Sequence, residues 1–332
     1  MKQAARLLLS LALSALFLWL AFRNVDFGRV GELLRQVSLG WVGLYVLSLV
    51  FIQFARAARW EILVRPFAPL SWSAAFRISN LGAMLVLVLP LRLGEISRPY
   101  LLKKENGARM SAGVGAVVVE RAIDGLLVTL FFFASTLLSG DDQRIPAGLH
   151  VAARLALVVF TGATAAVVAA LVWRDTAVRV VTRLVHPVSD KLAARLAGMI
   201  TAFADGLKAL PSPRAVAGVV FWTAAFWAGN GLGLWFVMLA FGWSLPLTAG
   251  FTLVSIIVIA IMIPAGPGFL GTFQGGILAG LAVYGIGASE AAAYGIVSYP
   301  LNVLVVVGFG IPYLFAPKTR IGEIVRAAPN VS

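Results

Sequence analysis

The stretch from Leu89 to Pro99 breaks an apolar segment that would otherwise cross a membrane. Pro90, Gly94 and Pro99 cannot continue a regular helix there without losing backbone hydrogen bonds or order. Hydrocarbon offers no replacement for those bonds. Such backbone is tolerated only under cover of protein or beside a water-filled cavity. Arg92, Glu95 and Arg98 add charge, each costing about 2.5–3.5 kcal/mol at a helix centre on insertion scales. A fold that keeps this stretch must make use of it.

The rest of the chain fixes the solvent. Of 332 residues, 60% are hydrophobic and 12% charged, with a mean hydropathy of +0.93. Soluble domains carry about a quarter charged residues. The expectation is an all-α integral membrane protein, one polytopic domain over residues 1–332, with no soluble catalytic module. The absence of cysteine excludes disulfides and thiolate sites. His150 and His186 lie far apart, so neither a metal nor another cofactor is expected. The net charge of +13 fits Lys and Arg gathered in cytoplasmic loops rather than nucleic-acid binding. A basic inner face also attracts anionic lipid headgroups.

The apolar runs predict the topology. Leu7–Phe22 reads as a retained first helix, since bulky residues occupy the place of a cleavage site. Asn24–Val37 is short and amphipathic and suits the outer interface. Leu39–Leu63 is a second span, with Arg59-Trp60 read as an anchor at its inner end. Phe76–Leu89 falls short of the roughly 20 residues a span needs and meets the break. Lys103, Lys104 and Arg109 follow, so the chain enters and leaves on one side, as a re-entrant hairpin. Ser111–Leu138 runs outward and Val151–Trp173 inward. Residues 174–214 form a basic, amphipathic connector on the cytoplasmic surface. Val216–Phe241 crosses outward. Thr248–Ile263 then meets a second break, with Pro264, Pro267, Gly268 and Gly271, before Gly276–Gly285. Ala291–Phe315 returns inward. Most of the 27 Lys and Arg residues fall on the predicted inner segments, which puts both termini in the cytoplasm of a multi-pass cell-membrane protein.

The breaks resemble each other: Pro90-x-x-x-Gly94 recurs as Pro267-x-x-x-Gly271. With about six full spans and two re-entrant helical hairpins, the halves (repeat one about 1–140, repeat two about 151–316) read as an inverted-topology repeat. Transporters of that design bind substrate where broken helices meet. Any two Gly/Pro-rich breaks look somewhat alike, so topology carries this reading further than identity does.

Candidate binding residues gather at the first break and the helix after it: Arg92, Glu95, Arg98, Glu120, Arg121 and Asp124. Glu120 and Asp124 share a helix face, and Arg121 can meet Asp124. Ionisable groups in a bilayer mark substrate or proton paths, and the planar fork of arginine suits a phosphate. The competing reading is structural, with pairs such as Glu95–Arg121 and Arg92–Asp124 locking the hairpin to its neighbour. The second break has no charge. Pro264, Pro267, Gly268, Gly271 and Gln274 shape backbone there, beside Asn302. Gly229-x-x-x-Gly233, Gly271-x-x-x-Gly275 and Gly276-x-x-x-Gly280 read as close helix packing. No phosphate-loop or His-Glu-x-x-His signature is present, so no enzyme is expected.

Arg59-Trp60, Asn80, Pro90-x-Arg92-x-Gly94-Glu95-x-x-Arg98, Glu120-Arg121-x-x-Asp124 and Pro267-Gly-Phe-Leu-Gly271-x-x-Gln274 occur in that order. Together they resemble the lysylphosphatidylglycerol synthase transmembrane region, or flippase-like domain, family across nearly the whole chain. In bifunctional members that region moves the lipid that a separate cytoplasmic domain makes. With the sequence ending at Ser332, the resemblance implies lipid translocation without aminoacyl transfer. Other members are associated with polyprenyl-linked glycan pathways. The family usually has Glu where Gln274 stands, and often a basic residue near Tyr299.

These readings converge on a flippase or scramblase for an anionic phospholipid or polyprenyl-phosphate-linked lipid, whose headgroup passes between the hairpins while its tails stay in the bilayer. The alternatives are a non-transporting scaffold partner of a lipid- or glycan-modifying enzyme, and an intramembrane transferase acting on lipid phosphate. The expected partner is membrane lipid with an anionic headgroup.

Overall fold

The computed structural model describes residues 12, 14–19, 22–89, 94–138, 213–263 and 266–315, with scattered positions between 151 and 198. Pro90, Arg92 and Pro264 lie outside the described residues. So do the outer loop after Leu138, the connector at 174–214 and the Val151–Trp173 span, isolated positions excepted.

The described residues are helical, with no strand among them. In chain order the helices are α1 Phe27–Arg35, α2 Leu39–Val64, α3 Trp72–Val88, α4 Ser97–Asn106, α5 Met110–Leu138, α6 Pro213–Ala240, α7 Leu247–Ile261, α8 Thr272–Ala282 and α9 Ala288–Leu314. Among them, α2, α6 and α9 are long and apolar enough to cross a membrane. α5 is longer still, at 29 residues, and carries Glu120, Arg121 and Asp124 inside it.

Local chemistry sets the boundaries. Asp26 caps α1 by accepting from the backbone N–H groups of Gly28 and Arg29. α3 ends where it does because Leu89 precedes a proline and turns extended, at φ −83° and ψ 138°. The break is shorter than its sequence suggests. Helix α4 already begins at Ser97, with Pro99 in its first turn, where a missing N–H costs no helical bond. Arg98 is therefore a helical residue.

Lipid gives helices little hydrophobic reason to associate, so close approach and interhelical hydrogen bonds must hold them. α2 and α6 pack along each other through Gly229 and Gly233. A Cβ on Gly229 would sit 3.2 Å from Ile52, and one on Gly233 would strike the Ser48 hydroxyl. Gly276 and Gly280 do the same for α8 against α7, at Ile257 and Leu253. These glycines act in packing, as the sequence predicts. Between α5 and α7, Thr252 Oγ1 bonds Ser135 Oγ (2.8 Å) and Ser255 Oγ donates to the Val128 carbonyl (3.1 Å).

Two larger apolar cores result, with smaller clusters beside them. One gathers Leu49 and Ile52 of α2, Trp227 and Leu234 of α6, Leu253 of α7, Ile277 of α8, Tyr294 of α9 and Val128 of α5. The other gathers Trp60 and Val64 of α2, Leu81 and Leu85 of α3, Leu101 of α4, Val117 of α5 and Val306 of α9. α2, α5 and α9 run through both. The buried charged residues of α2 and α5, Arg59, Glu120 and Asp124, fall at the seam.

Candidate functional site

Each of those three helices changes character where it passes from one core to the other. α2 presents Arg56 and Arg59, one turn apart. α5 presents Glu120, Arg121 and Asp124. α9 presents Tyr299 and Asn302. All of them line one cavity of about 220 Å³. Glu95 and Arg98 from the first break and its helix complete one wall, and Gly268 and Phe269 of the second break complete another. The sequence-predicted residues Glu95, Arg98, Glu120, Arg121 and Asp124 thus come together.

The charges are ordered. Arg98 donates twice to Glu120, Nη1 to Oε2 at 2.8 Å and Nη2 to Oε1 at 3.1 Å. Arg59 reaches Glu120 Oε1 at 2.9 Å with one nitrogen and bonds Asp124 with the other. Trp227 Nε1 donates to the same Asp124 oxygen at 2.8 Å. Arg59, Arg98, Glu120 and Asp124 are all buried. Arg98 lies over the Trp60 ring at 4.6 Å and Arg59 over Phe226 at 5.1 Å. Aromatic faces supply negative potential to cations that water cannot reach.

Arg121 differs. Its side chain is 46% exposed, and its contacts are looser, 3.3 Å to Glu120 and 3.7 Å to Asp124. It is far more exposed than Arg59 and Arg98. Arg59 and Trp60, read from sequence as an interface anchor, are instead among the largest fully buried side chains. Arg59 supplies the counter-charge that joins Glu120 to Asp124. Neither it nor Arg56 is among the sequence-predicted binding residues. The available signal is their spacing: two arginines three apart, on one face inside an apolar run.

Glycines permit this arrangement. A Cβ on Gly94 would fall on the backbone of Leu85 and Val86, so the first break lies flat against the end of α3. A Cβ on Gly82 would strike the stem of Arg98. At the second break Gly268 has φ +73°, and a Cβ there would sit 2.6 Å from the Tyr299 hydroxyl. Tyr299 donates to the Gly268 carbonyl at 2.8 Å. Gly271, at φ +89°, caps α8, and its N–H donates to Gln274 Oε1 at 2.7 Å. Pro267 opens a 3₁₀ turn, Pro267–Phe269, that contains Gly268. Asn80 is buried on α3 and donates to the Phe76 carbonyl.

Residues 7–310 match the family described as lysylphosphatidylglycerol synthase TM region. The chain belongs to that family. A stretch of 52 residues is 40% identical to the UPF0104 membrane protein MJ1078 of Methanocaldococcus jannaschii. That stretch is 16% of this chain and covers 22% of the relative's length, so the chain spans about a fifth of the curated relative it matches. A membrane protein with helical spans follows from both.

Within the lysylphosphatidylglycerol synthase TM region family, the two departures noted in the sequence have local explanations. The bond that Gln274 accepts needs a carbonyl oxygen, which an amide supplies as a carboxylate would. Tyr299 serves the second break through its hydroxyl, with its ring 5.2 Å from that of Phe273. Neither role requires charge.

Proposed function

We propose that this protein moves an anionic lipid, a phospholipid or a polyprenyl-phosphate-linked lipid, across the cytoplasmic membrane as a flippase or scramblase. The observation that carries the reading is the composition of the cavity. Four arginines face three carboxylates there, with both breaks on its wall. Arg59 and Arg98 fix the carboxylates, and the exposed face of Arg121 is left to meet a phosphate. Guanidinium donors suit that group through their planar fork.

An inverted repeat supplies the path. Each half has the order long helix, shorter helix, break, short helix, long helix: α2 to α5, then α6 to α9. Several helix contacts recur when the halves are exchanged, which supports the reading. α4 lies on α5 as α8 lies on α9, α3 on α9 as α7 on α5, and α2 meets α6. In a membrane the two helix–break–helix units become opposed re-entrant hairpins, with both termini in the cytoplasm. Rocking one half against the other would expose the cavity to each leaflet in turn.

The test is reconstitution into vesicles carrying fluorescent phosphatidylglycerol in both leaflets, with an impermeant quencher outside. Fluorescence should fall below the level left by the inner leaflet alone, with the lipid's mass unchanged. Decay no faster than in protein-free vesicles would refute translocation and return the scaffold reading. A covalently altered lipid would point to the transferase.

A further inference from the structure

Arg56 stands apart from the other arginines of the cavity. Among the described residues, Arg59, Arg98 and Arg121 each form an ion pair with Glu120, Asp124 or both. No such pair includes Arg56. Its Nη1 donates to Gln53 Oε1 at 2.6 Å, and its guanidinium lies 5.4 Å from the centre of the Phe226 ring. It is half-buried and faces the cavity. A half-buried cation with no ion pair of its own among the described residues is costly unless an anion joins it.

Beside it lies a second cavity of about 140 Å³, which shares wall residues with the first, among them Leu49, Ile52, Phe226, Trp227, Asn230 and Asn302. Its far side is apolar, with Val254, Ile257 and Val258 of α7. The hydroxyls nearest to it are engaged: Tyr45 donates to the Ser298 carbonyl (2.9 Å) and Ser48 to the Tyr45 carbonyl (2.6 Å). A cation with no ion-pair partner among the described residues thus adjoins a mostly apolar slot. Those are the two halves of an amphiphile's site.

We propose that Arg56 holds the phosphate of an alkyl phosphate and that the alkyl chain enters the slot between α2, α6 and α7. This deepens the anionic-lipid reading and rests on it. It differs from passage with the tails wholly in the bilayer: one chain is enclosed by protein while the headgroup is bound.

The probe is dodecyl phosphate bearing a terminal diazirine, offered to the full chain in phosphatidylcholine nanodiscs and mapped by mass spectrometry after illumination. Wild type should be labelled on α7 around Val254–Val258. Unlabelled dodecyl phosphate should compete, and inorganic phosphate at equal concentration should not. Arg56→Gln should lower labelling at least about tenfold, as loss of a charge-assisted bond predicts, whereas Arg56→Lys keeps it within a few-fold. Thermal melting of both variants separates lost binding from lost fold. Undiminished α7 labelling in Arg56→Gln overturns the assignment to Arg56. Equal competition by inorganic phosphate, or labelling confined to lipid-facing positions, overturns the slot. If either happens while phosphatidylglycerol still crosses vesicles, this inference fails alone; if wild type neither labels nor transports, both readings fail.

Discussion

Arg98 and Glu120 meet through two hydrogen bonds, 2.8 and 3.1 Å long, which tie the first turn of α4 to the middle of α5. Arg98 lies over the Trp60 ring, and both residues are buried. Glu120 also pairs with Arg59, so one carboxylate bridges cations from two other helices.

Glu120→Ala should therefore be among the most damaging substitutions, because it removes one of the two carboxylates that Arg59 bonds and the one to which Arg98 donates twice. Removing one partner of a buried pair costs about 3–5 kcal/mol. Replacing both Arg98 and Glu120 by apolar residues should cost less than the two single losses combined. A double-mutant cycle on thermal unfolding in detergent checks this; a Glu120→Ala protein as stable as wild type contradicts it.

Arg121→Gln should behave otherwise. Its side chain is half-exposed and its contacts are loose, so the melting temperature should stay near that of wild type. Anionic-lipid movement should slow by about tenfold or more, the equivalent of about 1.4 kcal/mol. Vesicle transport assayed beside thermal melting on the same preparation separates the two effects. Wild-type rates would remove Arg121 from the site.

The two glycines Gly94 and Gly308 make a controlled pair. Alanine at Gly94 would drive a methyl into the backbone of α3, where no side chain can give way; at Gly308 nothing lies within 4 Å. Overpacking costs about 1–3 kcal/mol in well-packed cores, and more where backbone must move. Yield of monodisperse protein should collapse for Gly94→Ala and hold for Gly308→Ala. Equal yields would mean that the first break does not lie against α3.

Gln274→Leu should weaken the second break by stranding the buried N–H of Gly271, and Tyr299→Phe should weaken it by releasing the Gly268 carbonyl. The first loss is about 1–3 kcal/mol for a buried unpaired group, and the second is smaller because the Gly268 carbonyl is only partly buried. Gln274→Glu, which keeps an acceptor oxygen, should lie closer to wild type than Gln274→Leu does. Limited proteolysis between α7 and α8 reads the loosening directly.

Much of the fold is legible in the chain. Leu89 before a proline ends α3, Asp26 starts α1, and apolar runs mark α2, α6 and α9 within a few residues of their limits. These are local matters of backbone conformation and hydropathy. The small-residue motifs at Gly229 and Gly276 are legible too, since close helix approach leaves a local trace. Pro99 misleads, because a proline in a first helical turn has the same letter as one that breaks a helix.

Sequence alone determined the membrane class, the family and the presence of charge at Glu95–Arg98 and Glu120–Asp124. It could also offer Arg121 as a partner for Asp124, because three residues along a helix bring side chains together. Only the tertiary structure decided which cations those carboxylates answer. Arg59 reaches Asp124 across 65 residues of chain, and no periodicity encodes that distance. Burial decided the rest. In a protein whose surface faces lipid, hydropathy does not say which face of a helix points inward, so an arginine near the end of an apolar run reads as an anchor. The crossing of α2 with α5 and α6 turns Arg56 and Arg59 toward a shared interior, where a charge must be paired or put to use.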